Sequence, residues 1–160
     1  QGYSPESSWS RGTAWALHGF ANAYRHTGAV RYLNVAKRIA HYYVASLPDD
    51  HVPYWDFRLP SFDGEPRDSS SAAIAASGLL EIAGAVPAAE QSAYSGAADR
   101  IVRSLAERYA TWEPPDHEAI LLHATGHKPA GACIDGSLIY GDYYFVEAVA
   151  KLNGWKHRVY

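Results

Sequence analysis

Residues 68–81 read Asp68-Ser69-Ser70-Ser71-Ala72-Ala73-Ile74-Ala75-Ala76-Ser77-Gly78-Leu79-Leu80-Glu81. An aspartate followed by three serines offers side-chain oxygens for the unsatisfied amides of a helix N-terminus. The run after the serines is small, apolar and almost uncharged on every face. A helix with no charged side has no side for water, so it is expected to be buried nearly all round. It should begin near residue 69.

The neighbouring stretches supply its cover. From about Glu90 to Tyr109, Ala97, Ile101, Leu105 and Ala106 fall on one face and Asp99, Arg100, Arg103, Glu107 and Arg108 on the other, the pattern of an amphipathic helix. The same couple occurs upstream. Residues 9–26 place Trp15, Gly19 and Ala23 beside Ala16, Phe20 and Tyr24 with few charges, and Thr27-Gly28 supplies a stop. That helix, too, is expected to be buried nearly all round. Residues 30–46 then form an amphipathic helix with Tyr32, Val35, Ala36, Ile39, Tyr43 and Val44 inward. A third buried-type helix starts near residue 138, in Ser137-Leu138-Ile139-Tyr140-Gly141-Asp142-Tyr143-Tyr144-Phe145-Val146-Glu147-Ala148, after a loop from Trp112 to Gly136. Setting Gly19-Phe20-Ala21 against Gly78-Leu79-Leu80 gives a repeat of roughly 60 residues, one buried and one covering helix per unit. Alternation of this kind predicts an all-α protein of the α/α toroid type, whose inner ring touches neighbours on all sides while the outer ring faces water. Two and a half units make half a ring. Residues 1–160 are therefore expected to be a single domain that pairs with a second half or a second copy of itself, because its inner helices are otherwise exposed along one side.

Composition narrows the function. With 48% hydrophobic and 19% charged residues the chain has the balance of a soluble globular protein, and a net charge of −3 provides no basic face for nucleic acid. No apolar run approaches the roughly 18 residues needed to span a bilayer. The single cysteine, Cys133, excludes an internal disulfide and a Cys-based zinc cluster. The chain lacks methionine and opens on Gln1-Gly2-Tyr3, so a fragment or processed product is expected, with the cytoplasm as the default compartment and the periplasm open. Aromatics reach 13%, with five Trp and twelve Tyr. Either they form a sugar-binding surface, or they fill wide helix interfaces.

The N-terminal stretch Gln1-Gly2-Tyr3-Ser4-Pro5-Glu6-Ser7-Ser8-Trp9-Ser10-Arg11-Gly12-Thr13-Ala14-Trp15-Ala16 resembles the pattern QGYxxxSxWxRGxAWxxxGF of unsaturated glucuronyl hydrolases, glycoside hydrolase family 88. Three further blocks agree in order: Pro53-Tyr54-Trp55-Asp56-Phe57, Arg67-Asp68-Ser69-Ser70, and Tyr140-Gly141-Asp142-Tyr143-Tyr144-Phe145-Val146-Glu147-Ala148. The resemblance implies an (α/α)6 barrel of which this chain is the C-terminal half. It also implies the activity, removal of the Δ4,5-unsaturated uronic acid from lyase-generated oligosaccharides. In that chemistry an aspartic acid protonates C4 of the enol ether and water adds at C5, so the carboxylate-spacing rule for ordinary glycosidases does not apply.

By the same resemblance the catalytic aspartates lie upstream of the QGY block, and this chain carries no catalytic residue. What it supplies is substrate contacts at Gln1, Trp9, Arg11 and Trp15, with no metal or organic cofactor. For Arg11 the chemistry agrees, since a guanidinium forks onto a uronate carboxylate, although a structural bond across helix ends explains an arginine equally well. Trp9 and Trp15 are six apart and point in different directions on one helix, so at most one faces the pocket unless Trp9 lies in the preceding turn; Trp9 is the better stacking platform, and Trp15 is a contact or inner-ring core. Tyr140, at the start of the last inner helix, stands between sugar contact and packing. Asp68 is expected to be an N-cap whose carboxyl the helix dipole holds low, a poor general acid, and Asp56 to anchor its loop. His117, His123 and His127 show no metallopeptidase spacing. Two other readings compete: a fragment of an unsaturated rhamnogalacturonyl hydrolase, and a non-catalytic carbohydrate-binding or helical interaction module.

Overall fold

In the computed structural model, which describes residues 1–112 and 117–155, five α-helices succeed one another: α1 (Ser10–Thr27), α2 (Val30–Ala45), α3 (Ser69–Ala85), α4 (Ala88–Arg108) and α5 (Ile139–Leu152). Pairing outside helices is limited, among the described residues, to isolated bridges that tie loops together. Residues 113–116 of the expected 112–136 loop lie outside the described residues. Each helix starts within two residues of its sequence-based expectation.

The centre is α3. Every residue from Asp68 to Leu79 is buried, and α1, α4 and α5 all pack on it. Small side chains make this possible. A Cβ on Gly78 would stand 2.9 Å from the backbone Cα of His18 in α1, and one on Gly141 in α5 would stand 3.0 Å from the Cβ of Ser70. Only glycine lets α1 and α5 approach α3 this closely at these two positions. The amphipathic α2 and α4 form the outer layer, with α2 burying Leu33, Ala36, Ala40 and Tyr43 against α1 and α3. That stripe is turned slightly from the expected one, leaving Tyr32 half-buried and stacked on Phe20 at 6.2 Å.

One expectation needs correction. Helix α1 is buried only along Ser10, Arg11, Ala14, Leu17, His18 and Ala21, and α5 only along Gly141, Asp142, Phe145 and Ala148. Among the described residues, α3 alone of the three inner-layer helices has an inner-layer neighbour on each side. On α5 the open side is apolar: Ile139 is 81% exposed, Val146 52% and Tyr143 39%.

Candidate functional site

Asp68 lies at the start of α3 and its partner Arg11 in the first turn of α1, while the loop ahead of α5 closes over them. Trp9 is the N-cap residue of α1, with non-helical φ −57 and ψ 118, so it lies in the turn before the helix. Its ring folds back over Gly12, where a Cβ would come 2.6 Å from the ring carbon Cε3. The segment leading into it is held by Asp56. That buried carboxylate accepts from the Tyr3 amide at 2.9 Å, the Ser7 hydroxyl at 2.7 Å, the Ser8 amide at 3.1 Å and the Arg58 amide at 2.9 Å. Asp56 anchors its loop, as the sequence suggested.

Arg11 is 2% exposed. Its Nη1 donates to Asp68 Oδ2 at 2.8 Å, to Ser70 Oγ at 3.3 Å and to the Thr125 carbonyl at 2.5 Å, and Nη2 donates to the Gly126 carbonyl. Its Cζ lies 5.0 Å from the centroid of the Trp9 ring and 5.4 Å from that of Tyr140, within cation–π range of both. The guanidinium is therefore already engaged by protein acceptors. It is more enclosed than the open fork drawn from sequence.

Asp68 is the N-cap of α3, accepting from the Ser71 amide at 3.3 Å and the Ser70 hydroxyl at 2.5 Å. Its pKa runs against expectation: burial pushes the carboxyl up, while Arg11 and the donors from Ser70, Ser71 and Thr125 oppose that rise. Complete desolvation outweighs the helix dipole here. Sequence reasoning missed the pairing itself, because nothing local in residues 9–12 points to residue 68 or to the carbonyls of 125 and 126.

The two tryptophans are linked through Arg11 and Tyr140. Trp15 meets the Tyr140 ring at 6.0 Å and the Tyr144 ring at 5.3 Å. Trp9, Arg11, Tyr140 and Trp15 thus form a continuous row from α1 to α5, all but Arg11 half-buried. Burial raises the Tyr140 hydroxyl pKa, with Arg11 opposing. Gln1 is exposed at the chain start and is not part of this row. A separate cleft of about 660 Å³ is lined by Glu65, Arg67, Tyr109, His123, Lys128 and Asp135 and does not include the aromatic row. Among the described residues no group of three or more His, Cys, Asp or Glu side chains converges on a metal position. None of their helices is long and apolar enough to cross a membrane.

Further along the inner helices, toward their C-terminal ends, lies a charged cluster. Lys151 of α5 reaches Ser77 Oγ at 2.8 Å, Glu147 at 3.0 Å and Glu81 at 2.8 Å, and Ser77 also donates to Glu147. His18 of α1 lies 3.7 Å from Glu147. Although burial opposes it, the nearby His18 and the hydrogen bonds from Ser77 and Lys151 hold the Glu147 carboxyl far below the usual range.

Known proteins share this outline. No protein-family model matches the chain. The unsaturated glucuronyl hydrolase of Bacillus sp. (strain GL1) is 38% identical over 155 residues, which is 96% of this chain and 41% of that protein. Its crystal structure superposes with a TM-score of 0.92 over 95% of this chain. The chain is homologous to unsaturated glucuronyl hydrolases over part of their length. An unsaturated chondroitin disaccharide hydrolase of Streptococcus agalactiae is 35% identical over 94% of this chain and 38% of its own length. A variant unsaturated glucuronyl hydrolase from that organism, complexed with dGlcA-GalNAc6S, gives a TM-score of 0.90 at 35% identity, over 98% of this chain and 41% of its own. The chain spans about 40% of the length of these curated relatives. Its five helices are a portion of an α/α barrel.

Proposed function

We propose that the chain forms the substrate-binding, C-terminal part of an unsaturated uronyl hydrolase. The observation that carries this reading is the row Trp9, Arg11, Tyr140 and Trp15, which gathers three rings and one fixed cation where α1 and α5 begin. Rings of this kind stack on the apolar faces of pyranoses, and a fixed cation attracts a uronate. The relatives support the substrate class, since they are named for unsaturated glucuronyl and chondroitin disaccharide substrates. The general acid comes from the part of the barrel upstream of Gln1, which also covers the open sides of α1 and α5. Asp68 does not serve as that acid, because both its oxygens are engaged by Arg11, Ser70 and Ser71.

The test is a complementation assay. The 160-residue chain alone should destroy the enol-ether absorbance of a lyase-generated unsaturated disaccharide no faster than buffer. Joined to the remaining length of a homologous barrel, it should turn the same disaccharide over. Turnover by the chain alone, abolished by Asp68→Asn, would overturn the placement of the acid.

A further inference from the structure

The geometry points to Asp68 as a positioning residue that fixes the Arg11 guanidinium and, through it, the 123–128 segment. Three sets of contacts carry this. The two Asp68 oxygens are divided between tasks: Oδ1 takes the Ser70 hydroxyl at 2.5 Å, the Ser71 amide at 3.3 Å and the Thr125 amide at 3.5 Å, while Oδ2 takes Arg11 Nη1 at 2.8 Å. A cap alone needs only the first of these oxygens. Arg11 then spans from Asp68 to the carbonyls of Thr125 and Gly126, so α1, α3 and the loop before α5 meet at one guanidinium.

The loop is pinned on either side of that point. The Ser69 amide donates to the His123 carbonyl at 3.1 Å and the Thr125 hydroxyl to the Arg67 carbonyl at 2.8 Å; beyond them, Lys128 pairs with Glu65. Residues 129–135 project as an exposed tip, with Gly131, Cys133 and Asp135 at positive φ. Gly126 must be a glycine for the segment to lie so close to this tip, because a Cβ there would stand 2.9 Å from that of Cys133. The tip is closed on itself by the Gly126 amide to the Cys133 carbonyl at 2.6 Å, the His127 amide to the Ala132 carbonyl at 2.8 Å and the Ala124–Gly136 pair at 2.8 and 2.9 Å, so its placement on the helices depends on the limb that carries Thr125 and Gly126. The guanidinium that holds this limb is the one that lies against the Trp9 and Tyr140 rings.

The consequence for sugar binding rests on the substrate-binding role proposed for the aromatic row, but the positioning does not, and the experiment separates them. Ser, Asn and Asp are comparable N-caps. If capping were the whole role, Asp68→Ser and Asp68→Asn would be silent. Positioning predicts otherwise, because Ser cannot reach the guanidinium and Asn either turns an amide toward it or gives up the cap oxygen. In the 160-residue chain, both variants should speed hydrogen exchange at the amides of Ala124, Thr125 and Gly126 at least tenfold. They should also merge the Arg11 Nη proton resonances, which a held guanidinium keeps separate, with the α4 amides unchanged. Rates within twofold of wild type in both variants, with separate Arg11 resonances, would overturn the proposal. Should either variant fail to fold, Arg11→Lys decides: it keeps a charge for Asp68 but cannot bridge both carbonyls, so the same three amides should loosen. Unchanged protection there also overturns it. In the completed barrel, each Asp68 variant should raise KM at least tenfold with kcat within threefold. Loosened amides with an unchanged KM would uphold the positioning and sink the substrate-binding role alone.

Discussion

Arg11 and Asp68 form a salt bridge at 2.8 Å in which the two side chains are 3% and 0% exposed. A pair this deeply desolvated contributes little net stability as a pair, yet breaking it is costly, since the survivor is left as a buried charge. Arg11→Ala should therefore destabilise the chain by about 3–5 kcal/mol, read from the urea midpoint. It should also raise KM in the completed enzyme more than it lowers kcat, if the contact is equal in ground and transition states. Arg11→Lys should recover part of each loss. A melting temperature equal to wild type would mean that the charge is not buried as described.

The closeness of α1 and α3 gives a second expectation. Alanine at position 78 would place its methyl 2.9 Å from the Cα of His18 and 3.1 Å from its amide nitrogen, both backbone atoms that cannot rotate away. Gly78→Ala should destabilise by about 1–3 kcal/mol, the range for overpacking, even though alanine is the better helix former. Gly84→Ala, where nothing lies within 4 Å, is the control and should be neutral or stabilising.

Glu147 sets an acid limit. Its carboxyl is held below the ordinary value of 4.5, so the folded form binds its proton less readily than the unfolded form. For a depressed carboxylate the stabilisation is complete above the unfolded pKa and is lost as pH falls through the folded one. Glu65, lowered chiefly by its hydrogen bond from Lys128, acts in the same sense. The melting temperature should stay flat above about pH 5.5 and fall progressively below about 4.5. Glu147→Gln should be less stable at about pH 7 and should show a shallower fall in acid. An equally steep fall in the variant would assign the acid limit to other carboxylates.

The helices were legible because the buried period and the N-cap signals are local. Asp68-Ser69-Ser70-Ser71 marked the start of α3 to the residue, and the uncharged run after it marked the one helix buried on all sides. The same argument overreached for α1. A sequence can say that a helix lacks a charged face, but whether that face is covered depends on neighbours, and α1 has an inner-layer neighbour on one side only. At the site, the row that links Trp9 to Trp15 was not foreseen, because residues six apart point in different directions on one helix, while the residue types were readable from the QGY block and from Tyr140. The grip on Arg11 was not, since its acceptors include backbone carbonyls of Thr125 and Gly126 whose side chains carry no mark of that role. The direction of the Asp68 pKa was hidden for the same reason: burial is set by distant chain.

The open side of α5 separates what the chain needs from what the barrel needs. Ile139, Tyr143 and Val146 recur at helical spacing and are 81%, 39% and 52% exposed, so they form an apolar stripe facing away from α3. Such stripes commonly mark a contact surface. Within the isolated chain Val146 has little to lose, and Val146→Lys should change stability by no more than about 0.5 kcal/mol, the usual span for exposed sites. The same substitution should reduce any self-association seen by sedimentation. In the completed barrel, where the proposal places further helices over this face, a lysine would have to be buried or would hold the helices apart. There Val146→Lys should cost about 1–3 kcal/mol and weaken complementation, whereas Val146→Leu should be tolerated. Equal, small effects in both contexts would mean that this stripe stays in water and that the remainder of the barrel docks elsewhere.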